Sequence, residues 1–229
     1  MYKSVASSPH GGEVTFGGKA LFLICFSVQF RWGQQEWFMK NAYSLYNAQG
    51  KRLYLTLDER KAFFDTSKLQ PDNVKTFCHL LYFTGCRVSE ALNLTADRVD
   101  MAGGEIVIQS LKKRSTTPHY RPIPVPMSFM EELAAVHALN SDDAKLWSWS
   151  RSQAWRLVKG TMKKAGINTQ MPYGTCKGLR HSFGIHAVTH NVPLNIVQSL
   201  LGHANMSTTA IYVDAVGDER RELVSRMWG

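Results

Sequence analysis

Apolar residues along the chain show little periodicity before about residue 38 and fall into regular patterns from Thr56 onward. Thr56-Leu-Asp-Glu59 has the spacing of a capping box ahead of an apolar patch at Phe63 and Phe64, and predicts a helix start. Val74, Phe77, Cys78 and Leu81 recur at i, i+3, i+4 and i+7, one buried face of a second helix that should end near Thr84-Gly85. A third, short helix is expected from Val88 to Leu94. The turn residues Asp100-Met-Ala-Gly-Gly-Glu105 then introduce Ile106-Val-Ile108, the basic run LKKRSTTPHYR, and prolines at 122, 124 and 126. This reads as a small antiparallel ribbon with a lysine-rich turn, its returning strand held to an edge because proline donates no ladder hydrogen bond.

Helical spacing resumes over 128–138, with Phe129, Leu133 and Val136 on one face. Ser150 has the character of an N-cap for a helix whose Trp155, Val158, Met162 and Ala165 should face inward, beside a basic stripe of Arg156, Lys159 and Lys163. That stripe suits phosphate contact as well as it suits a solvated face. Further helices are expected over 177–190 and from Pro193 to Gly202, with Ile196, Val197, Leu200 and Leu201 buried. A short segment follows over 205–213, and a charged helix over 218–227 carries Leu223, Val224 and Met227. The sum is one compact, mainly α domain with a small antiparallel β-ribbon or sheet, an α+β chain, over about 53–229. Residues 1–52 form an N-terminal extension, of which 1–38 is either dispensable or supplies a buried strand or helix around 20–30.

At 229 residues and 44% hydrophobic composition the chain is long enough for a substantial core. Its apolar run from Ala20 to Val28 is about half of the roughly 20 residues a membrane span needs. No secretory signal precedes it either, so a cytoplasmic protein with no membrane partner is expected. The cysteines Cys25, Cys78, Cys86 and Cys176 form no C-x-x-C pair, which speaks against a zinc site or a disulfide framework. Lys and Arg number 27 against 18 Asp and Glu, a net charge of +9 that favours a polyanionic partner. No phosphate-binding glycine loop, dinucleotide fingerprint, H-E-x-x-H or G-x-S-x-G is present, so nucleotide hydrolysis, hydride transfer and zinc hydrolysis lack motif support.

What stands out is an ordered set: Arg87 after a helix, lysines on the ribbon, Lys177-Gly-Leu-Arg180-His181, Leu201-Gly-His203, and Tyr212 nine residues later. Each has an ordinary structural explanation taken singly. Arg87 can cap a helix or pair with Glu90, His203 can complement a helix C-terminus, and Tyr212 can be a hydrogen-bonded core residue. His181 and His186 read as structural, with His181 in support of Arg180, and Trp147, Trp149 and Trp155 read as core.

In order and spacing the set resembles the catalytic domain of the tyrosine recombinase (phage integrase) family over about residues 53–215. The family segment TG-x-R-x-S-E-x-L is matched by Thr84-Gly-Cys-Arg87-Val-Ser-Glu90-Ala-Leu92, and the H/K-x-x-R-H segment by Lys177 to His181. The resemblance implies the fold of DNA breaking-rejoining enzymes and a site-specific recombinase that cuts and rejoins duplex DNA through a 3′-phosphotyrosyl intermediate, without metal, ATP or other cofactor. It implies catalytic roles for Arg87, Lys112, Lys177, Arg180, His203 and Tyr212. Lys112, at the end of the Ile106–Leu111 strand, is the expected general acid, with Lys113 as the close alternative. DNA contacts are expected from Lys113, Arg114, Arg156, Lys159 and Lys163.

The chemistry fits those residue types. Arginines fork onto a phosphate and bind more strongly as charge grows on its non-bridging oxygens. A tyrosine needs cations or a base to lose its proton, and the departing 5′ oxygen needs an acid. Lys177 stands where histidine is more usual in the family, which preserves the charge and weakens any proton-accepting role. The short N-terminal part is similar to that of fimbrial phase-variation recombinases, which lack a separate core-binding domain. The family also implies four protomers on two synapsed sites, monomers or weak oligomers when free, exchange of C-terminal segments through Leu223, Val224, Met227 and Trp228, and accessory DNA-binding proteins. Rival readings are a type IB topoisomerase-like activity and a non-catalytic DNA-binding regulator of the same fold.

Overall fold

A computed structural model describes residues 44–111, 118–137, 139, 144–214 and 227–228. Lys112, Lys113 and Arg114, all but the last residue of the helix expected over 218–227, and the extension up to residue 43 lie outside these residues.

Helix α1 (Leu57–Ser67) begins where the capping box predicts: Glu59 N–H donates to the Thr56 hydroxyl, and Thr56 N–H donates to the Glu59 carboxylate. Helix α2 (Asp72–Thr84) buries the predicted Val74, Phe77, Cys78 and Leu81, and ends on Gly85, whose φ of 59° is a left-handed conformation that glycine adopts without steric penalty. One short turn, α3 (Val88–Ala91), leads into a three-stranded antiparallel sheet. Its strands are β1 (Val99–Asp100), β2 (Glu105–Ser110) and β3 (His119–Pro124), in the order β1-β2-β3. Ile106 pairs with Ile123 and Ile108 with Arg121, so their side chains share the buried face while Pro122 and Pro124 point outward.

Helices α4 (Met127–Val136), α5 (Arg151–Lys164), α6 (Cys176–Thr189), α7 (Leu194–Leu201) and α8 (Ser207–Asp214) complete the mainly α fold. Ser150 accepts from Gln153 N–H and Thr175 accepts from Gly178 N–H, capping α5 and α6. The larger core joins Phe63 of α1, Phe77 and Leu80 of α2, Ile106 of β2, Ile123 of β3, Phe129 and Leu133 of α4, and Val158 and Met162 of α5. Each such side chain contributes roughly 1.5–3 kcal/mol through burial. A smaller cluster brings together Leu45, Ile185, Val197, Leu201, Ile211 and Tyr212.

Two sequence expectations fail. Trp155 is 42% exposed rather than inward, because the buried face of α5 is Ala154, Val158, Thr161 and Met162. One residue of helix turns a side chain by roughly 100°, which carries Trp155 off that face and beneath the Lys159 ammonium, 4.6 Å from its ring centre. Ile196 is likewise 45% exposed, the buried positions of α7 being Val197 and Leu201. Trp147 is a core residue, its indole donating to the Asn73 carbonyl, and Trp149 packs edge-on against Phe77.

Candidate active site

The second arginine of the motif is built into the fold. Arg180, on α6, is buried, and its two terminal nitrogens donate to the Gly85 carbonyl (2.9 Å) and the Leu201 carbonyl (2.6 Å). These carbonyls end α2 and α7, where no intrahelical donor remains for them. Arg180 therefore fastens together the turn that leads to Arg87 and the turn that leads to His203. Burial first, and then the nearby positive charge of Arg87, push its pKa down to about 10, which leaves it cationic at neutral pH.

Arg87 occupies the N-cap of α3. Its backbone N–H and Nη1 donate to the two oxygens of Glu90 at 3.1 and 2.8 Å, and its side chain remains 43% exposed. The pairing with Glu90 that competes with function in the sequence thus orients Arg87 toward solvent. Glu90 is itself 1% exposed. Burial would raise its pKa, but the charge and hydrogen bond of Arg121 and the contacts of Arg87 hold it below the usual carboxylate range.

Tyr212 lies on α8 with 0% exposure. Its hydroxyl shares a 3.2 Å hydrogen bond with His181 Nδ1, and its ring plane lies within 22° of that of His203, centre to centre 6.2 Å. Burial pushes the phenol up to about 12, against a downward pull from Arg180 and Arg87. At pH 7 its ionisation costs roughly 7 kcal/mol before any substrate charge or base helps. The neighbouring His181 is pushed down to about 4, by burial first and then by Lys177 and Arg180, so it is neutral at physiological pH. His203 Nδ1 hydrogen-bonds the Thr209 hydroxyl at 2.9 Å, tying its turn to α8.

Arg87, Arg180, His203 and Tyr212 are thus brought into one neighbourhood by α2, α3, α6, α7 and α8. Lys177 is exposed in the first turn of α6, one turn before His181. Arg156 and Lys163 are exposed on α5 and Lys159 is half-buried there, close enough to Cys176 to lower its thiol pKa against the dominant rise from burial. Three further residues belong to the site. Glu90 and His181 stand inside the quoted motifs and were open to a functional reading. Arg121, which pairs with Glu90 at 2.6 Å, carried only the weak signal of a charge at an inward strand position.

This assembly of two arginines, a histidine and a buried tyrosine on a helical body with a β-ribbon has clear relatives. The chain belongs to the phage integrase family, whose profile matches residues 53–218. Among curated proteins it is similar to tyrosine recombinase XerA of Thermococcus kodakarensis, 32% identical over 166 residues, covering 66% of this chain and 56% of the relative. It is also similar to tyrosine recombinase XerA of Pyrococcus furiosus, 31% identical over 182 residues, covering 75% and 60%. The chain therefore spans somewhat more than half the length of these relatives. Among solved structures it shares the fold of XerA recombinase, with a TM-score of 0.62 at 24% identity, covering 77% of this chain and 64% of that one. The same holds for XerH site-specific recombinase bound to its difH substrate in a pre-cleavage complex, with a TM-score of 0.61 at 19% identity, covering 73% and 55%. Among the described residues no helix is long and apolar enough to cross a membrane.

Proposed function

We propose that this protein is a site-specific tyrosine recombinase that cleaves and rejoins duplex DNA through a 3′-phosphotyrosyl intermediate. The observation that carries the reading is the double anchorage of Arg180 to the Gly85 and Leu201 carbonyls, which ties the turn before Arg87 to the turn before His203. In this reading Arg87 and Arg180 bind the non-bridging oxygens of the scissile phosphate and strengthen their hold as charge develops there. Tyr212 Oη attacks phosphorus as its phenolic proton passes to His203 or to water, and the P–O5′ bond breaks. Lys112, or Lys113 beside it, gives a proton to the departing 5′ oxygen, and His203 and Lys177 assist at the phosphate. A 5′-hydroxyl from another strand then attacks the phosphotyrosine, restoring the diester and the phenol. The ester conserves the bond energy, so the cycle balances without ATP.

Tyr212 must leave its pocket to reach DNA, and movement of α8 on binding is the step we assign to this. Lys113, Arg114, Arg156, Lys159 and Lys163 serve as backbone contacts, the electrostatic part of recognition. Residues 53–229 form the catalytic domain and 1–52 its extension, of which Leu45 joins the smaller core cluster and the Arg52 guanidinium lies over the Tyr173 ring. The active assembly is a homotetramer on two synapsed sites in the cytoplasm, aided by accessory DNA-binding proteins, and exposed Met227 and Trp228 serve the exchange of tails between protomers.

Nicked suicide duplexes from the native locus test the reading. Wild-type protein forms a covalent adduct that survives denaturing electrophoresis, Tyr212→Phe forms none, and Arg87→Ala or Arg180→Ala slows it about 100-fold or more. Tight DNA binding with no adduct on any duplex from the locus would favour the non-catalytic regulator instead.

A further inference from the structure

We infer that Arg121 is a positioning residue of this site: it holds Glu90, and through Glu90 the guanidinium of Arg87, in register with the turn that carries His203. The inference rests on the recombinase reading. Arg121 stands on β3 opposite Ile108, on the apolar face of the ribbon, and its side chain is 2% exposed. Each of its three nitrogens donates a hydrogen bond, in three directions. Nη2 donates to Glu90 Oε2 (2.6 Å), Nε to the Leu200 carbonyl (2.9 Å) and Nη1 to Ser110 Oγ (2.8 Å). A Cβ at Gly202 would sit 2.9 Å from Nη1, so the glycine before His203 leaves room for this guanidinium.

Stability alone gives a poor account of this residue. Two charges lose their water here, and a buried ion pair typically contributes little more than apolar side chains of the same volume. Geometry and charge balance give a better one. Glu90 by itself would neutralise Arg87, the arginine that faces solvent. With Arg121 on the other oxygen, the three groups carry a net positive charge whose exposed end is Arg87. Only the planar fork of arginine reaches a carboxylate, a carbonyl and a hydroxyl together, which a lysine ammonium on a single axis does less well. Arg121 also joins the end of β2 to the end of α7, so the ribbon and the His203 turn share one anchor.

A double-mutant cycle on adduct formation tests this. Arg121→Gln is expected to slow adduct formation about 30- to 100-fold with DNA affinity changed less than about threefold, and Arg121→Lys to recover part of the rate. If Arg121 acts through Arg87, the Arg87→Ala, Arg121→Gln double variant is no slower than Arg87→Ala alone within about threefold. Losses that multiply, in this cycle and in the parallel one with Arg121→Lys, would reduce Arg121 to a structural residue and overturn the proposal, as would a wild-type rate in Arg121→Gln. Absence of an adduct from the wild-type protein would instead overturn the recombinase reading on which the proposal stands.

Discussion

The nucleophile assigned to this chain is hidden in the structure described. Tyr212 is packed against α6 so closely that a Cβ on Gly184 would lie 2.5 Å from its Cε2 and Cζ. Gly184→Ala should therefore push the phenol out, with about 1–3 kcal/mol lost to overpacking. Mass spectrometry after tetranitromethane treatment checks this: Tyr212 resists nitration in the free wild-type protein and is nitrated in the variant. Equal resistance in both would mean that the ring is not held as described. Arg87, Arg180 and His203 stand in short local motifs, and Tyr212 follows His203 by nine residues, so the sequence alone marks them as candidates. The partners that orient them were not, since the Glu90 to Arg121 bond joins residues 31 apart and the His181 to Tyr212 bond also spans 31. No periodicity records a contact of that kind.

Individual elements were legible wherever a cap or a turn marks them. Thr56-Leu-Asp-Glu59 placed the start of α1, and Gly85 and Gly202 placed the ends of α2 and α7. Thr56→Ala should cost about 1 kcal/mol in denaturant unfolding, because the Glu59 N–H loses its acceptor and the Arg52 to Glu59 pair loses the capped turn that presents it. A change below about 0.3 kcal/mol would show that the box does not anchor the helix. Trp155 and Ile196 mark where element-scale reading stops. Both adjoin a buried position, and an apolar side chain one residue off the buried stripe carries the same hydrophobicity but faces outward.

For the molecule as a whole, half-buried histidines tie stability to pH. His181 and His186 are both pushed down to about 4, chiefly by burial, against an ordinary value near 6.5. Between these values the unfolded chain binds protons that the folded chain refuses, so stability falls as pH drops through that window. Glu90, held below its ordinary value of 4.5 by Arg121 and Arg87 despite burial, adds a further loss as pH falls below 4.5. The melting temperature should be nearly flat between pH 7 and 8, decline from about 6.5 toward 4, and decline less steeply in His181→Gln. A profile without that slope would place these histidines in water. The α+β architecture as a whole was readable from the alternation of capped helical stripes with one β-branched, proline-bounded ribbon. The division of the core into two clusters, with Tyr212 in the smaller, depends on tertiary packing and was not.

In the proposed reaction Tyr212 becomes covalently joined to a DNA 3′-phosphate. The most direct measurement digests the adduct trapped on a nicked duplex with nuclease and protease and sequences the modified peptide by mass spectrometry. Expected is a peptide over 207–214 with a 3′-linked nucleotide phosphate on Tyr212, and a free 5′-hydroxyl on the released strand. A nucleotide on any other residue, or a 5′-phosphate linkage, would contradict it.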